Sequence, residues 1–587
     1  MIALLLHMHQ PDYRHPRTGA PIMPWVRLHA TRGYRDVARI LAETGAKATV
    51  NLVPTLLEQV DRYVAGGSDV HLDVCCRPAA ELAPAEAEWL VTHGLHGSAR
   101  AFEWFPGWGA LRARRDRGER FDVAALRDLQ VWGNLAWFGA TALEDFPELG
   151  ELRRKGAGFT EAEKAVVLAR QAECVAGLRA LYAALPEVSA SPYAHPILPL
   201  LVDTAHAARN LGAFDDPAFR WPEDALGQLV AGRAAVAAWV GREVRGLWPS
   251  EGSVSPEAVE LFAKAGFSWF ATDDGVLARS ERQGKGPTWQ VGPLRGLFRD
   301  HGLSDRIGFV YADQAADTAV EDLLARTAGR DVVLALDGEN PWESYKDAGA
   351  GFLRRFFAKA PLVPCGELAA RPATGTVSRL HTGSWINADF KIWIGAEEDR
   401  TAWRLLRRVR EAFAASVQPE DARRALWRAE ASDWFWWYGP EFETPFAGEF
   451  DVLFRAHLAD VLARIGAPAM PELDAPLRAT GGGVVAPVGP VDPDRADFFA
   501  WNAAGSVAIT SGSMAPGPGW PVRVEYGWGP RGLALRLVGA GEGTAPGWTA
   551  EVEEGESERP LLWLRTPEGR RVPDSGGWRL LRPTPRP

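Results

Sequence analysis

Cysteine is scarce: the 587-residue chain has four, Cys75, Cys76, Cys174 and Cys365. Adjacent cysteines rarely bridge each other, and none of the four stands at a metal-ligand spacing, so neither a disulfide framework nor a cysteine-held zinc is expected. Long apolar runs are missing as well. No stretch approaches the roughly 18 apolar residues of a membrane span. The opening segment has no basic n-region, and its apolar run, Ile2 to Leu6, stops short of the roughly 7–15 residues of a secretory core. The expectation is a cytoplasmic protein without a membrane partner. A long basic run is absent too. A formal net charge of −10 without a basic run argues against nucleic acid, because phosphate binding needs grouped cations. No internal repeat at a 20–50-residue period is visible.

What the chain does have in quantity is aromatic. It carries 25 Trp and 25 Phe, and indole and phenyl faces stack on the apolar faces of sugar rings, although most of them belong in cores. Apolar residues make up 47% and charged ones 24%, which is ordinary for a soluble globular protein. The length exceeds one core, so two to four domains are expected.

The order of patterns predicts an α/β fold. A strand at Ile2 to Leu6 delivers His7 and His9; a helix from Tyr34 to Thr44 and a strand from Ala48 to Leu52 follow, a βαβ rhythm that predicts a parallel sheet or barrel. Residues 80 to 190 carry helical periodicity and read as an insertion. The rhythm resumes through His195, a helix at 222 to 240, Glu251, a strand at 269 to 274, a strand at 307 to 311 and Asp337. From about residue 400 the pattern is helical again, and past residue 475 Gly- and Pro-rich turns with short alternating strands predict a separate β-sandwich. The domains so drawn are 1–375, 376–475 and 480–587.

The stretch D-V-V-L-A-L-D-G-E-N-P-W-E, residues 331 to 343, reads as a buried strand ending in Asp337, Glu339 and Glu343 with Trp342 beside them. A buried strand whose last residue is an acid is how an α/β barrel presents catalytic groups at its C-terminal mouth. Glu251, in W-P-S-E-G beside Trp248, occupies the same kind of position. Either acid alone could merely cap a helix. Two on separate strand ends, each with an indole neighbour, form the equipment of a glycosidase. In a retaining enzyme the carboxyl groups lie roughly 5–5.5 Å apart, and apolar walls such as Trp248 and Trp342 keep one of them protonated.

His7 and His9, at i and i+2, share a face of an extended segment. They could ligate a metal, contact sugar hydroxyls or sit in the core; a metal wants a third ligand, and neither Gln10 nor a local acid supplies a good one. The block Ala431 to Tyr438, with Asp433 and Trp434, is either bundle core or a sugar platform. Arg299, Asp300 and Asp305 favour positioning of a substrate loop over plain capping. Asp273 and Asp274 have a barrel-mouth position without an aromatic partner and read as structural.

Five motifs occur in order: H-M-H-Q-P at 7 to 11, P-Y-A-H-P-I-L-P at 192 to 199, W-P-S-E-G-S-V-S at 248 to 255, A-L-D-G-E-N-P-W-E at 335 to 343, and H-T-G-S-W-I at 381 to 386. Together they resemble the five sequence regions of glycoside hydrolase family 57, over about residues 1 to 440. The resemblance implies a (β/α)7 barrel followed by a helical domain, and a retaining mechanism on α-glucans with no metal and no other cofactor. It implies Glu251 as nucleophile and Asp337 as acid/base. It also implies His7, His9 and His195 as contacts to the sugar at the cleaved bond, and His381, Ser384 and Trp385 near the cleft. D-G-E-N-P-W-E and the block ending W-F-W-W-Y-G look most like the amylopullulanase and α-amylase branch, whereas H-M-H-Q-P departs from the H-A-H-L-P start of branching-enzyme members. Gln10, Trp248, Glu339, Trp342, Asp433 and Trp434 complete the expected substrate-binding set.

The leading expectation is a retaining hydrolase of α-1,4 bonds, with α-1,6 bonds as a second target. A 4-α-glucanotransferase or branching enzyme would use the same chemistry with a sugar acceptor. A metal-dependent deacetylase or α-mannosidase-like hydrolase would want an acid near the first histidines, where Gln10 stands. A non-catalytic glycan-binding protein would have no use for both acids.

Overall fold

The computed structural model describes residues 1–442 and 444–477, together with strands between 505 and 579. The chain divides into two compact units. One comprises Met1–Arg404 with Glu430–Thr444, the other Leu405–Ala429 with Pro445–Pro587.

The first unit is built on parallel strands β1 (Ile2–Met8), β2 (Thr49–Leu52), β3 (Glu187–Ala190), β4 (Gly246–Leu247), β5 (Trp269–Asp273), β6 (Leu294–Arg299) and β7 (Val332–Asp337). They pair in the order β7-β1-β2-β3-β4-β5-β6. At the open end of that order, Asp300 donates its backbone N–H to Val333 at 2.8 Å, and the Arg299 guanidinium donates to the Ala335 carbonyl at 3.1 Å. β1 and β5 are buried along their whole length, as is β7 up to Asp337. Their continuous apolar runs reflect strands covered on both faces. The sheet is mixed, because Thr288–Val291 pairs antiparallel with β6, and Gly375–Arg379 pairs antiparallel with Glu281–Gly284.

The strand expected at Ile307 to Tyr311 does not form. Asp300 caps a helix at His301–Asp305, its carboxylate accepting from Leu303 N at 3.0 Å, and the helical backbone runs on through Arg306–Val310 and Tyr311–Asp313. Phe309 is 83% exposed, which a buried strand would not allow. The strand of this part of the sheet is instead Leu294–Arg299, whose Leu-Arg-Gly-Leu-Phe-Arg pattern is broken by Gly and charge.

Between β2 and β3 the chain is helical, ending in Glu161–Ala183. That helix starts at a capping box, Thr160 Oγ1 accepting from Glu163 N while Glu163 accepts from Thr160 N. Where this region meets the helices Trp25–Ala30 and Gly33–Thr44, between β1 and β2, it buries polar groups in hydrogen-bonded networks. Arg27 donates to Asp69 at 2.7 Å, to Asn134 at 2.8 Å and to Gln171, and Asp36 accepts from the backbone of Ala140 and Thr141, each at 3.0 Å.

In the second unit, helices Glu420–Ala429 and Ala447–Arg464 are tied by an Arg464–Asp421 ion pair at 2.8 Å. Gly505–Ala508, Pro521–Gly529 and Gly532–Gly539 form one antiparallel sheet, and Leu561–Arg565 pairs antiparallel with Thr549–Glu553, Arg571–Val572 and Trp578–Arg579 in another. The rest of the expected β-sandwich lies outside the described residues. No helix among the described residues is long and apolar enough to cross a membrane.

Candidate active site

Strand register brings the first groups together. His7 stands opposite Asn51 on one side of β1 and opposite Asp337 on the other. Its Nδ1 lies 2.6 Å from Asn51 Oδ1, and Asn51 is itself held by Ser189 at 3.1 Å and Ser191 at 2.9 Å. His9, just past the strand, places Nε2 2.8 Å from Asp433 Oδ1. His195 hydrogen-bonds Ser432 Oγ through Nδ1 at 3.0 Å. The three imidazoles stack, with centroids 5.0 Å apart for His7–His195 and 3.9 Å for His9–His195. Burial, reinforced by the neighbouring imidazoles, holds His195 well below the usual histidine range and His7 down at about 3. Those two rings are therefore neutral, each with one donor and one acceptor nitrogen.

Glu251 follows β4 in the turn Ser250–Gly252, with left-handed backbone at φ 56° and ψ 25°. His195 is left-handed as well, at φ 60°. Non-glycine residues reach that region at a cost, and such strain gathers where side-chain aim matters more than backbone comfort. The Glu251 side chain is 14% exposed. Its Oε2 accepts from the Trp385 indole N–H at 2.9 Å, and Oε1 lies 3.8 Å from His195 Nδ1. Burial, then the charge of Asp337, then that of Asp433 push its carboxyl up to about 8, against the Trp385 hydrogen bond.

Asp337, the last residue of β7, accepts from Asn340 Nδ2 at 3.3 Å. Burial raises it too, opposed by that hydrogen bond and by the charges of His9 and Arg299. A third carboxyl, Glu339, is buried and accepts from Gln10 at 3.2 Å and from the Tyr34 hydroxyl at 3.3 Å. Burial and the charge on Asp337 raise it far above the carboxylate range, so it stays protonated. Because the charge of Asp337 falls on Glu251, the proton held into the neutral range belongs to the pair rather than to either residue.

A family model described as glycosyl hydrolase family 57 matches residues 3–361. The chain belongs to that family. The matched span holds His7, His9, His195, Glu251 and Asp337, and ends before His381 and Asp433. No curated protein matches in sequence. Similar solved structures include a GH57 branching enzyme from Thermococcus kodakaraensis, 14% identical over 79% of this chain and 90% of that one, at a TM-score of 0.49. Others are a 4-alpha-glucanotransferase from Thermococcus litoralis (15%, 80% and 60%, 0.44) and the alpha-amylase AmyC from Thermotoga maritima (13%, 82% and 99%, 0.44).

Around the acids of this family 57 chain, the expected site residues divide. Trp248 is fully buried, edge-on to Trp385 at 5.2 Å and 6.0 Å from His7. Trp342 is a core residue rather than a wall of the site. Its indole donates to the Gly338 carbonyl at 2.9 Å, and its ring packs on Tyr345 and Phe352. Trp434 is likewise buried, leaving no face open for a sugar. Ser384 braces its own loop, donating to Ile386 O and Asp389 O, and His381 Nε2 lies 2.9 Å from Ala388 O. Glu343 lies 3.6 Å from His29, and burial raises its carboxyl. Asp273 is spent on Arg299 at 2.7 Å and on His301 at 3.1 Å.

Sequence reading passed over Asn51, Tyr13, Tyr34 and Ser432. Asn51 left a faint signal, a polar residue at the end of an otherwise apolar strand. Tyr34 and Ser432 left none, because their partners Glu339 and His195 are remote in sequence; Tyr13, whose hydroxyl donates to Gln10 at 2.7 Å from three residues away, belongs to no pattern that marks a site. The acid missing near the first histidines is supplied by Asp433. Among the described residues, His9, His195 and Asp433 offer ligand atoms within 4.8 Å of one another, a set able to hold a metal ion or to hydrogen-bond a polyhydroxylated ring. Asp273, Asp274 and His301 form a second such group.

Proposed function

We propose that this family 57 chain is a retaining α-glucan hydrolase acting on α-1,4 bonds of starch, glycogen or maltodextrin, with strands β1 to β7 read as a (β/α)7 barrel. The observation that carries the reading is the pair of part-buried carboxyls at strand ends, Glu251 and Asp337, the charge of the second acting on the first, beside neutral imidazoles. In this reading Glu251 Oε1 attacks the anomeric carbon while Asp337 gives its proton to the leaving oxygen. Asp337, now charged, then deprotonates the water that releases the sugar from Glu251. Attack requires the shared proton to sit on Asp337, so the productive form is the one in which Glu251 is ionised. His7, His9, His195 and Asp433 contact sugar hydroxyls; Nδ1 of His9, Nε2 of His195 and Oδ2 of Asp433, which have no partner among the described residues, support that role. Gln10 and protonated Glu339 act behind them, and no metal or other cofactor takes part.

The test is product analysis on soluble starch, pullulan and maltoheptaose. Hydrolysis releases reducing ends steadily, and pullulan reports α-1,6 cleavage. Flat reducing ends with a broadening chain-length distribution, or new α-1,6 branches, would make the chain a glucanotransferase or branching enzyme instead. Activity is expected to survive exhaustive chelation. About one zinc per chain, with activity lost on its removal, would transfer the function to the metal-dependent class.

A further inference from the structure

Arg299 is a buried cation whose surroundings exceed what a structural ion pair needs. Its Nε donates to Asp273 Oδ2 at 2.7 Å and one terminal nitrogen donates to the Ala335 carbonyl at 3.1 Å. The other lies 3.0 Å from His301 Nδ1, and Asp305 Oδ1 is 3.6 Å from the nitrogen that meets Ala335. These contacts orient the guanidinium, and its central carbon lies 4.8 Å from the centre of the Trp385 ring. Trp385 spends its indole N–H on Glu251 Oε2 and its backbone N–H on the Glu251 carbonyl at 3.0 Å. Asp273, Arg299, Trp385 and Glu251 thus form one chain of contacts from the end of β5, across the end of β6, to the turn after β4.

We propose that Arg299 is a positioning residue for Glu251, acting through Trp385 and itself aimed by Asp273. This rests on the reading of Glu251 as nucleophile. The indole N–H holds Oε2, which leaves Oε1 as the oxygen free to attack. A carboxylate that rotates about its last bond presents either oxygen, and misplacement by about 1 Å costs on the order of 10²-fold in rate. A flat, delocalised cation over the ring favours one tilt of the indole, and a lysine ammonium in the same place keeps the charge without the plane. The arrangement also sets a positive charge near Asp337, which opposes the upward push of burial on that carboxyl.

The test is a double-mutant cycle on kcat with the full-length enzyme and maltoheptaose, using Arg299→Lys and Trp385→Phe. Lysine keeps Asp273 paired, and thermal melts check that each variant folds. If Arg299→Lys fails to fold, Asp273→Asn, which frees the guanidinium without removing it, takes its place. Trp385→Phe is expected to lower kcat about 10²-fold, as loss of one preorganised donor does, with KM within about threefold. Arg299→Lys is expected to lower kcat roughly tenfold with KM similarly unmoved. The double variant is expected to be no slower than Trp385→Phe alone, because the arginine has nothing left to act through. Wild-type kcat in Arg299→Lys, a change confined to KM, or losses that multiply in the double variant would each overturn the proposal. The two readings fail separately: an active Glu251→Gln sinks the nucleophile assignment, whereas an inactive Glu251→Gln with a multiplicative cycle sinks only the role of Arg299.

Discussion

Two parts of the first unit bury polar side chains to a similar degree and treat them differently. In the helices on either side of β2, Arg27 is matched by Asp69, Asn134 and Gln171, and Asp36 by two backbone donors; apart from the Gln171 amide nitrogen these groups are satisfied. At the carboxyl ends of the strands, His9 Nδ1, His195 Nε2, Glu339 Oε2, Asp433 Oδ2 and the hydroxyls of Ser250 and Ser253 are buried without partners among the described residues, and the backbones of His195 and Glu251 are left-handed. An unmade hydrogen bond in the interior costs about 1–3 kcal/mol. A completed network specifies a fold, and an incomplete one is matched to something that arrives from outside.

The sharpest way to break this comparison is at Glu251. Glu251→Gln is expected to lower kcat by at least about 10⁴-fold, comparable to deleting a nucleophile elsewhere, while oligosaccharide binding measured by calorimetry persists. Azide should then restore cleavage of an activated α-glucoside with inversion, because the small anion replaces the lost carboxylate. Near-wild-type turnover would sink the assignment.

The opposite result is expected in the satisfied region. Asp69→Ala leaves Arg27 buried and uncompensated, and should cost about 3–5 kcal/mol of stability in denaturant unfolding. The folded fraction should keep its kcat. A stability loss below about 1 kcal/mol would remove the distinction between the two regions.

A smaller effect sharpens it through pH. With the Glu251 carboxyl up at about 8, the pair loses its last shared proton above that pH, and kcat/KM should fall there. Stability follows the same sign. A carboxyl raised in the folded state is harder to ionise there than in the unfolded chain, so folding is penalised increasingly as pH climbs from about 4.5 to about 8. Glu251→Gln should therefore melt a few degrees above wild type at pH 9 and alongside it at pH 4. Equal melting points at both would show that the carboxyl is not penalised by burial.

How much of this was legible in the sequence follows from the range of each interaction. β1 and β7 were plain, because burial on both faces writes a continuous apolar run. Ile307 to Tyr311 wrote a similar run and is helical, because Asp300 caps a helix just upstream and the turn continues; a five-residue apolar window does not separate the two. The acids and histidines were visible as strand-end residues and motif positions. Trp342 was misplaced because an indole beside an acid in sequence can point to either side of the strand end, and here it turns into the core. Asp433 stands 424 residues from His9, so no local pattern could pair them. Register placed Asn51 and Asp337 on either side of His7, and register is a property of the assembled sheet.

The left-handed turn at Glu251 carries a consequence for synthesis. Holding a β-carbon there costs about 1–2 kcal/mol that glycine does not incur. Replacing a nucleophile usually leaves a neutral or weakened scaffold, but Glu251→Gly would relax this backbone and vacate the space beneath the sugar in one step. On the proposed role, the relaxed variant would accept a β-glucosyl fluoride in place of its own covalent intermediate. With no nucleophile left to cut the product, it would join glucose units into α-linked chains, a synthase made at a position where the backbone already favours having no side chain.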